Sequence, residues 1–406
     1  MSDFSQRGPI VTLPRLGRRD LERFERELTN FTRERKLALL LPCLVSELEG
    51  PALPQMLREL AQAPFLDTVL VCLDKASPEA FAAARGYFQT LPKRTVLLWV
   101  DAPAILGLVQ EVEQSVGRQL VTGKGRAVWL GLGYLLAEGR TFYVALHDAD
   151  VLNYHRSLLA NLVAPVVHPA LYFEFSKAFY ARFADRLYGR ATRLLVTPLL
   201  KAMADLLGRQ PYLSYLAAFR YPLAGEMAFP LELARWLRIP GDWGLEVGLL
   251  FELIRYRSPR RICQVDVADS FDHKHQDLSP EDPTRGLHRM AVDVVQHLLR
   301  TAASSGVAMN EGTFGSLQVA FKRHAEDAVA TSYAVAVFNG LVYDRHEEEQ
   351  AVEVFAKALA EACRSFRENP LGVAAFPNWE RVVAAIPSLP LRLVEAVRET
   401  GGVLVE

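Results

Sequence analysis

Two aspartates one residue apart close an apolar, β-prone run at Phe142-Tyr143-Val144-Ala145-Leu146-His147-Asp148-Ala149-Asp150. A buried strand emerging at this point offers two carboxylates to a divalent cation such as Mg2+ or Mn2+, whose hard charge prefers oxygen ligands. The same pair also reads as capping and solubility at a strand end, so its chemistry rests on what stands around it. Just upstream, Gly123-Lys124-Gly125-Arg126 opens a helix that runs through Leu135. Glycines let a backbone approach a ligand closely, and a lysine adds charge at a helix end already favourable to phosphate. On local sequence alone this is equally a loop with a solvated lysine. The spacing matches neither a G-x-x-x-x-G-K-[ST] loop nor a G-x-G-x-x-G turn after the first strand, which argues against an ATPase or a dehydrogenase.

Further candidates lie downstream. Tyr188-Gly189-Arg190-Ala191-Thr192 leads into an apolar helix from Arg193 to Leu207, a second place where an anion could meet a helix start and a bidentate arginine. An N-cap with a surface arginine is the plain alternative. Glu226 in Pro222-Leu223-Ala224-Gly225-Glu226 and Glu246 in Gly241-Asp242-Trp243-Gly244-Leu245-Glu246 are glycine-flanked acids before apolar helices, where acids also serve as simple caps. After the run Arg261 to Val267 come Phe271-Asp272-His273-Lys274-His275-Gln276, two histidines, an aspartate and a lysine at a strand end. A metal or phosphate role competes there with a structural one.

The elements that must position these groups follow from hydrophobic periodicity. Apolar runs Leu37–Pro42, Thr68–Asp74 and Thr95–Val100 read as buried parallel strands, with helices at 53–60, 78–89 and 107–116 between and after them. That alternation predicts a doubly wound α/β sheet, in which Pro42 to Glu47, Asp74 to Ser77 and Asp148 to Asp150 all face one crevice beyond the strand ends. Tyr172–Phe175 alternates as a further strand. Beyond Pro283 the chain is helical over 286–302, 315–338 and 347–366, with shorter helices at 379–385 and 391–400. No chemical constellation stands out in this last third, which reads as a lid, a packing subdomain or an oligomer surface. The organisation expected is a helical lead at 1–35, halves at 36–170 and 171–282, and a helical C-terminal subdomain at 283–406.

Composition narrows the function classes. Half of the 406 residues are hydrophobic and 23% are charged, the balance of a globular enzyme. A formal net charge of -1 speaks against nucleic acid as the main partner. Cys43, Cys72, Cys263 and Cys363 show neither zinc spacing nor a disulfide framework, and no apolar run reaches the ~18 residues of a membrane span, so a cytoplasmic protein is expected.

The order of these motifs resembles the GT-A-type retaining glycosyltransferases, and most closely the glucosyl-3-phosphoglycerate synthases, with mannosyl-3-phosphoglycerate and mannosylglycerate synthases as relatives. The resemblance covers about residues 36–280 and rests on Gly123-Lys124-Gly125, Asp148-Ala149-Asp150, Lys177-Ala178-Phe179-Tyr180, Gly189 to Leu200, Pro222 to Glu226, Gly244 to Leu250 and His273. It implies a Rossmann-like mixed sheet with a helical C-terminal extension, and transfer of a hexose, glucose first, from a nucleoside-diphosphate sugar to 3-phosphoglycerate. Free glycerate as acceptor, a GDP-mannose donor, and a non-catalytic sugar-nucleotide-binding protein are the alternatives. By the same resemblance Pro42, Ser46, Glu47 and Asp74 lie along the nucleotide with Ala149 and Glu226. Lys124 meets the diphosphate, Asp148 the ribose and metal, and Asp150 binds Mg2+ or Mn2+ directly with His273. Gly189, Arg190 and Thr192 hold the acceptor, with His275 beside them, and Glu246 faces the sugar. Catalysis then falls to Asp150, Glu246, Arg190 and Lys124. The sequence departs from the family after the first strand, where Pro42-Cys43-Leu44-Val45-Ser46-Glu47 lacks the usual asparagine, and at Lys274-His275-Gln276, where either histidine could be the metal ligand. A homodimer through the C-terminal helices is expected.

Overall fold

The structure, a computed structural model, describes residues 6, 8–17, 19–272 and 286–405; His273 and His275 lie outside that range. A mixed sheet of nine strands runs through the described residues. In chain order the strands are β1 (Val11–Leu13), β2 (Leu37–Leu44), β3 (Thr68–Asp74), β4 (Arg94–Trp99), β5 (Tyr143–Leu146), β6 (Phe175–Tyr180), β7 (Met227–Pro230), β8 (Ile262–Ala268) and β9 (Val403–Val405). Across the sheet the order is β1-β8-β6-β7-β5-β2-β3-β4-β9. β7 lies antiparallel to β5 and β6, and β9 antiparallel to β4; the other neighbours are parallel.

Why the central strands read so clearly is a matter of burial. Every residue of β3 is buried, and so are six of the eight in β2, because helices cover both faces of a parallel sheet. Their apolar runs are therefore continuous instead of alternating. The crossover helices begin where their caps say they should. Ser77 accepts a hydrogen bond from the Ala80 amide and Pro78 follows it, so the helix Pro78–Phe88 starts at that point.

Other elements depart from the sequence reading. The strand expected at Tyr172–Phe175 starts only at Phe175, because Tyr172 takes a left-handed φ of 55° and is exposed. The helix expected from Arg193 is preceded and opened by a π-helical turn over Ala191–Val196, with the Thr197 amide donating to the Thr192 carbonyl, before Thr197–Leu207 continues as α-helix. Strands β7 and β9 are too short to carry a period-2 signal, and β7 ends in proline.

The last third of the chain packs into the same core as the sheet. Helix Arg345–Glu368 packs on Gly286–Ser304 and on Glu311–Phe338, Glu311–Phe338 also packs on Thr197–Leu207, and one apolar cluster joins them to the helix Lys124–Glu138. Past them the chain returns to the sheet. Trp379 stacks on Trp129 with ring centroids 4.6 Å apart, and Trp129 also stacks on Phe376 at 5.1 Å. Each indole N–H finds a carbonyl: Trp129 donates to Pro377 at 2.8 Å and Trp379 to Trp129 at 3.1 Å. The chain then ends as β9 on the open edge of β4. Trp379 is 3% exposed, so Trp379→Ala should cost about 3–5 kcal/mol in urea unfolding, the usual range for a buried tryptophan. Trp236→Ala, at a half-exposed position, should cost far less in the same measurement.

Candidate active site

The carboxyl ends of β2, β3 and β5 open into one cavity of about 1210 Å³. Pro42, Glu47, Asp74, Lys124, Asp148, Ala149, Asp150, Gly189, Arg190 and Glu246 all line it. Sequence reasoning expected a crevice beyond the carboxyl ends of the strands, and the cavity opens there.

Lys124 is the first residue of the helix Lys124–Glu138, and its Nζ lies 2.5 Å from an Asp148 oxygen and 3.0 Å from Glu246. Three residues far apart in the chain are therefore tied into one ionic group at a helix N-terminus. Burial alone would lower the Lys124 pKa; Asp148 and Glu246 outweigh it and drive the pKa well above the usual lysine range. The ammonium is charged at any working pH. Asp148 itself is boxed in from the other side by the segment ahead of β7. A Cβ on Gly225 would fall 2.6 Å from its carboxylate, so only glycine lets the two approach. Lys177, fully buried on β6, holds that segment by donating to the Ala224 carbonyl. Burial brings its pKa down to about 8.

Negative charge accumulates around this lysine. Burial, with Asp148 beside it, pushes Asp150 up to about 7. Glu226 is also raised to about 7, first by burial and then by Asp148, while it accepts a 2.7 Å hydrogen bond from the Tyr180 hydroxyl. His147 is held neutral by burial, its pKa lowered to about 4. Such a crowd of oxygen donors beneath a cavity suits a hard divalent cation. Among the described residues no group of three metal-ligating side chains is assembled. Asp148 and Asp150 are the carboxylates on the cavity wall that could take part in such a set.

At the base of β3 and β4, Arg126 reaches Asp74 at 3.0 Å and Asp101 at 2.9 Å. The expected nucleotide residue Asp74 thus has an ion pair of its own, and Arg126 and Asp101 join it on the cavity wall.

Three expectations change. Ser46 sits exposed on the short 3-10 helix Val45–Glu49 and does not line the cavity, because its side chain turns to solvent while Glu47 turns in. Glu226 lies beneath the floor, 1% exposed, and is no surface for a nucleotide. Thr192 is 5% exposed with its hydroxyl buried, because the π-helical turn rotates it inward. Gly189 and Arg190 do reach the cavity; Gly189 has a φ of 73°, which glycine alone adopts freely. Arg190 is already paired: its Nε meets Glu348 at 2.8 Å and its Nη2 meets Glu347 at 2.7 Å. His273 and His275 fall outside the described residues.

Sequence reasoning overlooked Arg126, Arg182, Arg186, Arg289 and Glu347, which also line the cavity. The cluster Arg182, Arg186, Arg190 was visible as a spacing of four, but that spacing signals a helix face and the segment is not helical. Arg289 and Glu347 come from the last third, where no motif marked them.

Neutralising Asp150 tests the charge crowding directly. A carboxyl raised to about 7 in the folded chain and ordinary in the unfolded one subtracts stability above pH 7 and ceases to do so as pH falls below about 4. Asp150→Asn should therefore stabilise the chain in chelator by on the order of 2 kcal/mol at pH 8, a gain that vanishes by pH 4. Urea melts at the two pH values check it; a gain independent of pH would refute the assignment.

Comparison with known proteins places this geometry in a family. No family model matches the sequence. The chain is 43% identical over 399 residues to the glucosyl-3-phosphoglycerate synthase of Persephonella marina, spanning 98% of this chain and 99% of that one. It is 34% identical over 383 residues to the enzyme of the same name from Methanococcoides burtonii, 93% of each chain. Among solved structures, the Mycobacterium tuberculosis glucosyl-3-phosphoglycerate synthase in complex with Mn2+, UDP-glucose and phosphoglyceric acid superposes with a TM-score of 0.51 at 22% identity, over 74% of this chain and 89% of that one. Mannosyl-3-phosphoglycerate synthase from Rubrobacter xylanophilus gives 0.53 at 21%, over 71% and 85%. These two share the GT-A-like fold, and the two curated relatives, matched from end to end, decide the family: the chain belongs to the glucosyl-3-phosphoglycerate synthases.

Proposed function

We propose that this chain transfers glucose from UDP-glucose to 3-phosphoglycerate with retention of anomeric configuration, using Mg2+ or Mn2+. The observation that carries the reading is a single cavity with a lysine-carboxylate group at one end and an arginine-bearing glycine turn at the other. The named relatives supply the substrates: one solved neighbour holds Mn2+, UDP-glucose and phosphoglyceric acid together.

On this reading the diphosphate lies over Lys124 and the N-terminus of its helix, where backbone N–H groups point outward. Asp150 and Asp148 would hold a divalent cation, which would supply neutralisation of the charge on the nucleoside diphosphate. Lys124 adds a fixed positive charge where the leaving oxygen becomes negative, and the cost of placing it has already been met by Asp148 and Glu246. Glu246, held by Lys124, faces the sugar. Arg190 holds the anionic end of the acceptor, with Arg182 and Arg186 on the same wall.

Retention needs attack from the face the leaving group vacates, or a covalent intermediate on an enzymic carboxylate. Glu246 and Glu226 are the carboxylates a double displacement would draw on. Glu246 is paired with Lys124, and Glu226 is buried against Tyr180. That engagement supports front-face substitution, in which the departing phosphate takes the acceptor hydroxyl's proton.

A matrix of UDP-glucose and GDP-mannose against 3-phosphoglycerate and glycerate, with and without divalent metal, tests this by released nucleoside diphosphate. Turnover is expected with UDP-glucose, 3-phosphoglycerate and metal together, giving an α-linked product by NMR. Lys124→Ala should lower kcat by about a hundredfold or more. Turnover confined to glycerate would remove the acceptor-phosphate role of Arg190, and a β-linked product would remove the front-face route.

A further inference from the structure

The acidic first turn of the helix Arg345–Glu368 reaches the acceptor end of the cavity. Glu347 and Glu348 stand side by side there, and their situations differ sharply. The Glu348 side chain is 4% exposed; one oxygen meets Arg190 Nε at 2.8 Å and the other meets Arg193 Nη1 at 2.8 Å. Arg193 is fixed further by Ser332 at 2.7 Å and by the Tyr188 carbonyl at 2.9 Å. The Glu347 side chain is 43% exposed and, among the described residues, makes one ion pair, to Arg190 Nη2. We propose that Glu347 is an exchangeable carboxylate that competes with the acceptor's anionic group for Arg190, and that Glu348 is a positioning residue that keeps Arg190 aimed at the cavity.

Three physical points carry the inference, which rests on the reading of Arg190 as the acceptor's anchor. First, Nη2 belongs to both of the paired-donor edges of a guanidinium, so a carboxylate on it stands in the way of a bidentate grip on another oxyanion. Second, the charges of Arg190 and Arg193 are balanced by Glu347 and Glu348, so an incoming anion meets the full charge of Arg190 only when one carboxylate withdraws. Third, only Glu347 can withdraw cheaply. It lies in the first turn of a helix, where the positive end of the dipole and open water both accommodate its charge. Glu348 would leave two arginines unpaired in a buried setting.

This contact also gives the last third of the chain a function in the site. Its helix sets the acceptor end's affinity through one exposed pair, and an exposed pair is worth a modest factor.

The test is the acceptor KM of the full-length enzyme at saturating UDP-glucose, read beside the UDP-glucose KM at saturating 3-phosphoglycerate. Glu347→Gln should lower the acceptor KM by about two- to fivefold, the range an exposed ion pair supplies, and leave the donor KM where it was. In an Arg190→Gln background the Glu347→Gln change should have no effect, which a general loosening of the helix would not produce. Glu348→Gln should raise the acceptor KM by more than Glu347→Gln lowers it. If Glu348→Gln fails to fold, the Glu347 pair of measurements alone decides. An unchanged or raised acceptor KM in Glu347→Gln, with Arg190→Gln severely impaired, overturns the inference and leaves the anchor role of Arg190 standing. An Arg190→Gln enzyme with an ordinary acceptor KM removes the anchor role itself.

Discussion

The ionic group formed by Lys124 with Asp148 and Glu246 is the constraint on which the rest of the site depends. It joins the start of a helix, the loop after β5 and the first turn of the helix Leu245–Tyr256, three places that the fold brings together only at the carboxyl edge of the sheet. A lysine placed there alone would lose charge to burial, and the two carboxylates alone would repel. Together they fix a cation at a helix N-terminus, where it reinforces the backbone's own preference for phosphate. Gly225 and Lys177 secure this arrangement from beneath, one by omitting a side chain against Asp148 and the other by holding the Ala224 carbonyl.

The acids still outnumber the cations at this end of the cavity, and burial, with Asp148 close by, raises the pKa of Asp150 and Glu226. Charge crowding of this kind costs stability when it serves only the fold. Active sites are where proteins tolerate that cost, because a ligand that restores the balance binds tightly for the same reason. At the carboxyl ends of β3 and β4, Asp74 and Asp101 show the opposite arrangement, with Arg126 paired to both. That contrast separates carboxylates that are structurally paired from those with charge in excess.

How much of this could be read from residue order depends on how local each cause is. The buried strands β2 to β4 and their crossover helices were legible because a parallel sheet covered on both faces demands long apolar runs. Lys124 and the Asp148–Asp150 pair were legible because strand end and helix start are local events with their own residue preferences. What stayed hidden was set by distant partners. Strand β7 exists because β5 and β6 leave a gap that four residues can fill, and its short run shows no period. Thr192 looked like a ligand in the chain and turns inward because a π-helical turn adds a residue to the helix start. Arg190 looked unattached, and its carboxylates lie more than 150 positions along the chain. The last third carried no motif because its part in the site is to supply charge and wall, which any well-packed amphipathic helix can do.

The two ends of the cavity therefore differ in sign, and the difference fits the proposed substrates. Around Lys124 carboxylates are in excess, which on the proposed reading makes room for an anionic diphosphate together with a cation. Around Arg190 the arginines Arg182 and Arg186 also line the cavity, which on the proposed reading suits an anionic acceptor. A site with uniform positive charge would hold both anions and discriminate poorly between them. On the proposed reading, opposite signs at the two ends make each selective by charge before any shape is considered. On that same reading, orientation along the cavity then follows from electrostatics.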